Sequence, residues 1–201
     1  MLPSVDGDAG FISGRDMDIL RVIEEEELES FSFEGLKRRI GAHPETLSRA
    51  LGRLEEQRVV ERAEDGYRLT QRGRERAGVH PAELAGERMT ILRTMLPPTL
   101  SLQSLFQGLR GRWFGNLRWL GFSQANGELV MKWVTDDGRV QLDAKFDQSE
   151  LTIEGRLLQK NSLAQAVTSA HSLLSHISRS YAAPGYGRTL LAEVLPSYSV
   201  N

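Results

Sequence analysis

A chain of 201 residues, 40% hydrophobic and 26% charged, has the composition of a globular protein with one domain or two small ones. It has no cysteine, which excludes disulfides, thiolate nucleophiles and thiolate zinc sites, zinc fingers included. The formal net charge of -2 hides an asymmetry: residues 1–33 carry -7, residues 34–76 carry +3, residues 77–100 are neutral and residues 101–201 carry +2.

The N-terminal MLPSVDGDAGFISG lacks the basic-then-apolar pattern of a signal peptide, and no apolar run reaches the roughly 18 residues that a membrane span needs. A cytoplasmic protein with no membrane partner is expected, its residues 1–15 forming a flexible N-terminus. From Asp16 to Glu29, the residues Met17, Leu20, Ile23 and Leu28 recur at roughly helical spacing, and Asp16 and Asp18 suit the positive end of the helix dipole. The acidic run Glu24 to Glu27 reads as its solvated face. Phe31 and Phe33 alternate with serines, as in a very short strand or a staple. A second helix follows, with Leu36 and Ile40 inward and Gly41 at its end.

The third helix opens at His43-Pro44, because proline in a first turn gives up an N–H that has no intrahelical partner there. Leu47, Leu51 and Leu54 face inward, and the opposite face presents Glu45, Thr46, Ser48, Arg49, Gly52 and Arg53. Two helices joined by a tight glycine-containing turn form a helix-turn-helix, whose second helix enters the major groove of DNA; here that is residues 44–57. Val59 to Glu61 and Tyr67 to Thr70 then read as paired strands around Glu64-Asp65-Gly66, where Asp-Gly is a hairpin signal. That hairpin is a wing, and its acidic tip would repel phosphates.

The pattern "RLEE" at Arg53–Glu56, "VER" at Val60–Arg62, "GYRLT" at Gly66–Thr70 and the trailing Gly73 resembles the winged helix-turn-helix transcriptional regulators of the MarR and ArsR kind over residues 16–77. Such sequences commonly place glycine after the recognition helix, where this one has Gln57-Arg58. The resemblance implies sequence-specific binding of double-stranded DNA. Thr46, Ser48 and Arg49 are then candidates for base edges, and Arg38, Arg39, Arg53, Arg62, Arg68 and Arg72 for phosphates or guanine, since the arginine fork donates in pairs to both. The bland reading is that arginine is simply the chain's default base, at 21 against four lysines. One such module makes few phosphate contacts, so a homodimer reading two half-sites is expected. The same fold also serves as a protein-interaction module of transcription, replication or chromosome-organising complexes, and that alternative stays open.

Residues 78–98 are expected to be a linker, with an amphipathic helix over Ala82–Leu96 closed by Pro97-Pro98. The remainder, residues 99–201, reads as a two-layer α-β-β-β-β-α domain: a short helix over Leu100–Leu109, then strands at Trp113–Phe122, Glu128–Thr135, Arg139–Phe146 and Leu151–Leu158 in an antiparallel four-stranded sheet, covered by a helix at Ser162–Tyr181. The fold class is therefore α+β, with the second domain serving dimerisation or the sensing of a small-molecule effector or protein partner. The last helix has an uncharged face of Gln165, Thr168, Ser169, Ser172, Ser175 and Ser178, which suits either a subunit contact or plain solvent. Trp113, Trp119 and Trp133 suit either an effector pocket or core packing. No nucleophile elbow, phosphate loop or zinc-protease motif occurs, and His171 and His176 are five apart, which turns them to different sides of a helix. Neither enzymatic activity, nor a metal, nor a cofactor is expected.

Overall fold

A computed structural model of the chain describes residues 14–77, 88–125, 128–147 and 149–182. The architecture is α+β, and the described residues form six helices on one eight-stranded antiparallel sheet. The N-terminal part runs α1 (Gly14–Glu25), β1 (Ser30–Phe31), α2 (Phe33–Ile40), α3 (Pro44–Glu56), β2 (Val60–Ala63), β3 (Gly66–Leu69) and α4 (Gln71–Ala77). It is followed by β4 (Arg88–Met95), α5 (Leu102–Leu109), β5 (Leu117–Ala125), β6 (Glu128–Thr135), β7 (Val140–Phe146), β8 (Glu150–Leu157) and α6 (Leu163–Ala182). No helix among the described residues is long and apolar enough to cross a membrane.

The expected meander of four strands is present as β5 to β8, but it is not a separate sheet. The strand order is β2-β3-β1-β5-β6-β7-β8-β4. The two residues of β1 make the join by pairing on both sides, Ser30 with Arg68 and Phe122, Phe31 with Tyr67 and Gly121. Flanking bonds from Glu29 N to Phe122 O at 2.9 Å and from Ser32 N to Leu120 O at 2.8 Å extend it. Gly121 permits the approach, since a Cβ there would collide with the Ser30 carbonyl.

Two cores lie on opposite faces of this sheet, and β5 serves both, with Trp119 and Leu120 turned to opposite sides at a register shift between Trp119 and Gly121. Leu120 packs with Ile19, Leu20, Ile23, Phe31, Leu36, Leu47, Leu51 and Leu54 under α1 to α3. Its neighbour Trp119 packs with Met131, Trp133, Leu142, Phe146 and Ile153 beneath Ala166, Ala170, Leu173 and Ile177 of α6. Trp119 and Trp133 thus fill space, with ring centroids 5.2 Å apart, whereas Trp113 is exposed with the Arg118 guanidinium 4.8 Å above its ring.

One expected element is overturned. Residues 88–95, read from sequence as the second half of a linker helix, form the edge strand β4, paired with β8 from Arg88↔Arg156 to Met95↔Glu150. A register shift between Thr90 and Leu92 explains the misreading. It leaves both Ile91 and Leu92 partly buried in succession, so the period-two signature is broken and the apolar spacing imitates a helix. The first half of that expected helix, residues 82–87, lies outside the described residues, as do residues 1–13 of the expected N-terminal arm and the tail from 183. Gly14 and Arg15, expected within that arm, already belong to α1.

Candidate nucleic-acid interface

The start of α3 is set by the turn before it. Ser32 caps α2 by accepting from Gly35 N at 3.0 Å, and Gly41 ends α2 in the left-handed conformation, φ 64°, which redirects the chain within three residues into Pro44. Leu47, Ala50, Leu51 and Leu54 are fully buried, so α3 is anchored along one stripe. Its other face is open at the N-terminal end, where Glu45, Ser48 and Arg49 are exposed; Thr46 is half-buried and lines a mostly apolar groove with Ile19, Ile40 and His43. At the far end Arg58 supplies the left-handed residue, φ 57°, in the place where glycine is common. The residue is exposed, so the departure from the expected glycine costs strain but not burial.

The nine candidate residues separate into three groups. Arg39 and Arg53 are tied to acids outside their own helices, Arg39 largely buried and Arg53 still 45% exposed. Arg39 donates through Nε to Gln141 Oε1 at 2.7 Å and its Nη2 lies 3.0 Å from Glu26 Oε1, beneath the sheet. Arg53 grips the buried Asp16 of α1 with both arms of its fork, Nε at 3.0 Å and Nη2 at 2.6 Å. That hydrogen bonding raises the Arg53 pKa above its ordinary value. Arg38 is half-committed: it bonds Glu34, whose carboxyl is held below its usual range first by the hydrogen bonds from Lys37 and Arg38. The third group is outward. Arg49 meets Glu45 at 2.5 Å, Arg62 meets Glu55 at 3.2 Å and Arg68 meets Glu61 at 2.6 Å, all exposed, while Ser48 and Arg72 are exposed without such a pair and Thr46 sits at the rim.

The hairpin is held at its tip. Asp65 accepts from Ser30 Oγ at 2.7 Å and from both arms of Arg110, Nε at 3.0 Å and Nη2 at 2.9 Å, at the end of α5. Burial by itself would raise the Asp65 pKa, but these bonds from Arg110 and Ser30 outweigh it and lower the value. Part of the tip's acidity is therefore neutralised by the second half of the chain.

A buried ionic cluster joins the two halves. The Glu26 carboxylate has no exposed side-chain surface and faces Arg156 at 2.5 Å, Arg39 at 3.0 Å, Arg88 at 3.5 Å and Lys132 at 3.6 Å. Gln141 Nε2 donates to it at 2.7 Å and to Asp143 Oδ1 at 2.8 Å, and Lys132 reaches Asp143 at 3.1 Å. Desolvation pushes the Glu26 pKa up, and the fields of Lys132, Arg156 and Arg39 more than reverse it, leaving it lowered. Sequence reasoning took Glu26 as part of a solvated acidic face; its partners lie up to 130 residues away, where periodicity carries no signal. Arg58, Arg74 and Arg110 were also missed, although the first two are exposed beside the hairpin's base. Among the described residues no group of three or more metal-ligating side chains is placed to hold an ion.

Residues 17–80 match the family model of the N-terminal domain of the methanogenesis regulatory protein FilR1. The match spans 64 of the 201 residues, from α1 through the hairpin and α4. No curated protein and no solved structure matches the chain.

Proposed function

We propose that this protein is a DNA-binding transcription regulator in which residues 16–77 act as a winged helix-turn-helix module. In this reading α3 is the recognition helix, the β2–β3 hairpin is the wing, and the sheet domain serves dimerisation or effector sensing. The observation that carries the reading is the geometry of α3: a fully buried leucine stripe holds it rigidly while Ser48 and Arg49 stand exposed at its N-terminal end, Arg49 beside Glu45. The match to the N-terminal domain of a regulatory protein over the same residues supports it. Ser48 and Arg49 would read base edges, and Arg62, Arg68 and Arg72 would meet phosphates, with Arg49, Arg62 and Arg68 exchanging the exposed carboxylates they face in the free protein. Such exchange costs little, since exposed pairs are worth about 0–1 kcal/mol. Arg39 leaves the set of contacts because its fork is committed inside the protein, while the exposed Arg53 would have to release Asp16 to meet the duplex.

Fluorescence anisotropy on a random duplex and on the region upstream of the protein's own gene, at two salt concentrations, tests the proposal. Tight binding that falls with salt and differs between duplexes is expected. Arg49→Ala should cost about 1–3 kcal/mol on the preferred duplex if Arg49 reads a base. Unchanged affinity and unchanged preference in that variant would remove Arg49 from the interface. A second reading, docking on a protein partner, draws on one observation: Glu45, Glu55 and Glu61 sit against three of the outward arginines and weaken their field. Absence of salt-dependent duplex binding would favour it.

A further inference from the structure

The second half of the molecule contains a cavity of about 380 Å³ between the end of α5 and the last turns of α6. It is lined by Gly108, Arg112, Phe114, His176, Arg179 and Ser180. Among the described residues, two guanidinium groups and an imidazole border it, and no carboxylate does. Among the described residues neither arginine meets an acid: Arg179 Nε donates to the Ser175 carbonyl of its own helix at 3.1 Å, and Arg112 is exposed. The floor is apolar and fixed. Phe114 is buried and stacks on the His176 ring, centroids 4.8 Å apart and planes 21° from parallel. Burial, and then the charge of Arg179, lower the His176 pKa below its ordinary 6.5, which favours the neutral imidazole. It can therefore act as either donor or acceptor. Nothing lies within 4 Å of where a Gly108 Cβ would be, so the cavity is open on that side.

The cavity also shares a segment with the clamp on the hairpin tip. Gly108 and Arg112 flank Arg110, whose fork holds Asp65. The segment between them is tightly determined: Arg110 N bonds Phe106 O at 2.9 Å, Arg112 N bonds Leu109 O at 3.1 Å, Gly111 takes φ 72°, and the Arg112 carbonyl accepts from Trp133 Nε1 at 2.9 Å. The backbone that carries Arg112 is thus fixed to Trp133 on one side and to the Arg110 clamp on the other.

We propose that this cavity binds a small carboxylate- or phosphate-bearing anion between Arg112 and Arg179, against His176, and that occupancy is relayed through Arg110 to the hairpin tip. The guanidinium fork recognises carboxylate and phosphate alike, which is why the class is drawn by that shared chemistry. The relay, though not the binding, rests on the regulator reading above.

The test titrates the full chain with inorganic phosphate and, separately, with citrate, against sodium chloride at matched ionic strength. The His176 ring resonance and tryptophan fluorescence are followed together. At least one of the two anions should give a saturable response with a common midpoint in both signals. That midpoint should weaken about tenfold or more in Arg112→Gln/Arg179→Gln, in keeping with the loss of two charge-assisted contacts. Gly108→Leu, which grows a side chain into open space, should abolish the response with the melting temperature retained. A response equal to that of chloride, or one that survives in the double variant, overturns the site. Duplex anisotropy with and without the anion, in wild type and in Arg110→Gln, then addresses the relay: an anion effect that disappears in Arg110→Gln supports it. Saturable anion binding with unchanged duplex affinity overturns the relay alone, and no duplex binding under any condition overturns it together with the regulator reading.

Discussion

The junction around Glu26 and the outward face of α3 and its hairpin are built from the same materials, arginines facing glutamates, and burial alone makes them different. At the junction the Glu26 side chain is 0% exposed and Arg156 only 2%, so each charge depends on its partners for the solvation it has lost. On the outward face Arg49 and Glu45 are 71% and 65% exposed, water screens them, and either can be replaced by another ion. The first arrangement fixes how the N-terminal helices sit on the sheet. The second leaves basic groups available to an incoming phosphate. An arginine in this protein is thus structural or exchangeable according to where its acid lies, and its place on a helical wheel does not decide which.

The comparison breaks most visibly at Glu26. Glu26→Ala takes from buried Arg156 the carboxylate it bonds and leaves Lys132 with Asp143 and Arg39 with Gln141, and breaking a buried pair by removing one partner costs about 3–5 kcal/mol. Urea denaturation would read this as a lower midpoint, and a loss under about 1 kcal/mol would show that water already solvates the cluster. The pH dependence has a definite sign. The folded pKa of Glu26 lies below its ordinary 4.5, so its contribution is fully present above 4.5 and is lost as pH falls through the folded value. Wild type should therefore lose stability in acid more steeply than Glu26→Gln.

The clamp at the hairpin tip is intermediate, with Asp65 9% and Arg110 26% exposed. Asp65→Asn keeps the shape but removes the charge, and a hydrogen bond to a charged group is worth about 1.5–3 kcal/mol. Arg110→Gln should cost a similar amount, and the double variant no more than either alone, because both report one interaction. Additive losses would mean that the two residues act separately. Hydrogen exchange should quicken at β2 and β3 before it does elsewhere. Asp65, with its pKa lowered from 3.8, contributes above that value and ceases to as pH falls below it.

These features differ in how far the sequence foretells them. The leucine spacing of α3, the Pro44 start, the Gly41 stop and the Asp-Gly hairpin are local, and they lie where the chain alone places them. So do the strands β6 to β8, whereas β5, expected over Trp113–Phe122, runs Leu117–Ala125 and carries a register shift between Trp119 and Gly121. What escapes is whatever depends on a partner far along the chain: Arg39 meets Gln141, 102 residues on, and β1 takes β5 as its second neighbour. A two-residue strand has too few positions to announce which strands it joins. The edge strand β4 escapes for a different reason, its register shift having erased the alternation that marks a strand. Within the candidate interface, Ser48 and Arg49 were legible because exposure at a helix start follows from the buried stripe behind it. Arg53, one helical turn further, is exposed as its spacing implies, but its pairing with Asp16 is not legible because that acid belongs to another helix.

That last pair gives the finest test, since Arg49 and Arg53 share α3 and differ only in the acid they face. Arg53→Ala removes the fork that Asp16 accepts across the α1–α3 packing, so the melting temperature should fall. Arg49→Ala removes an exposed pair within one helix, worth about 0.3–0.5 kcal/mol, and should leave the melting temperature nearly unchanged. Duplex affinity should respond in the opposite order when measured well below both melting temperatures, with Arg49→Ala the weaker binder. Substituting Glu45→Gln instead frees Arg49 of its carboxylate, and it should strengthen duplex binding modestly at low salt and less at high salt. If Glu45→Gln leaves affinity unchanged at both salt concentrations, Arg49 does not meet the duplex, and its exposure at the head of α3 serves some other surface.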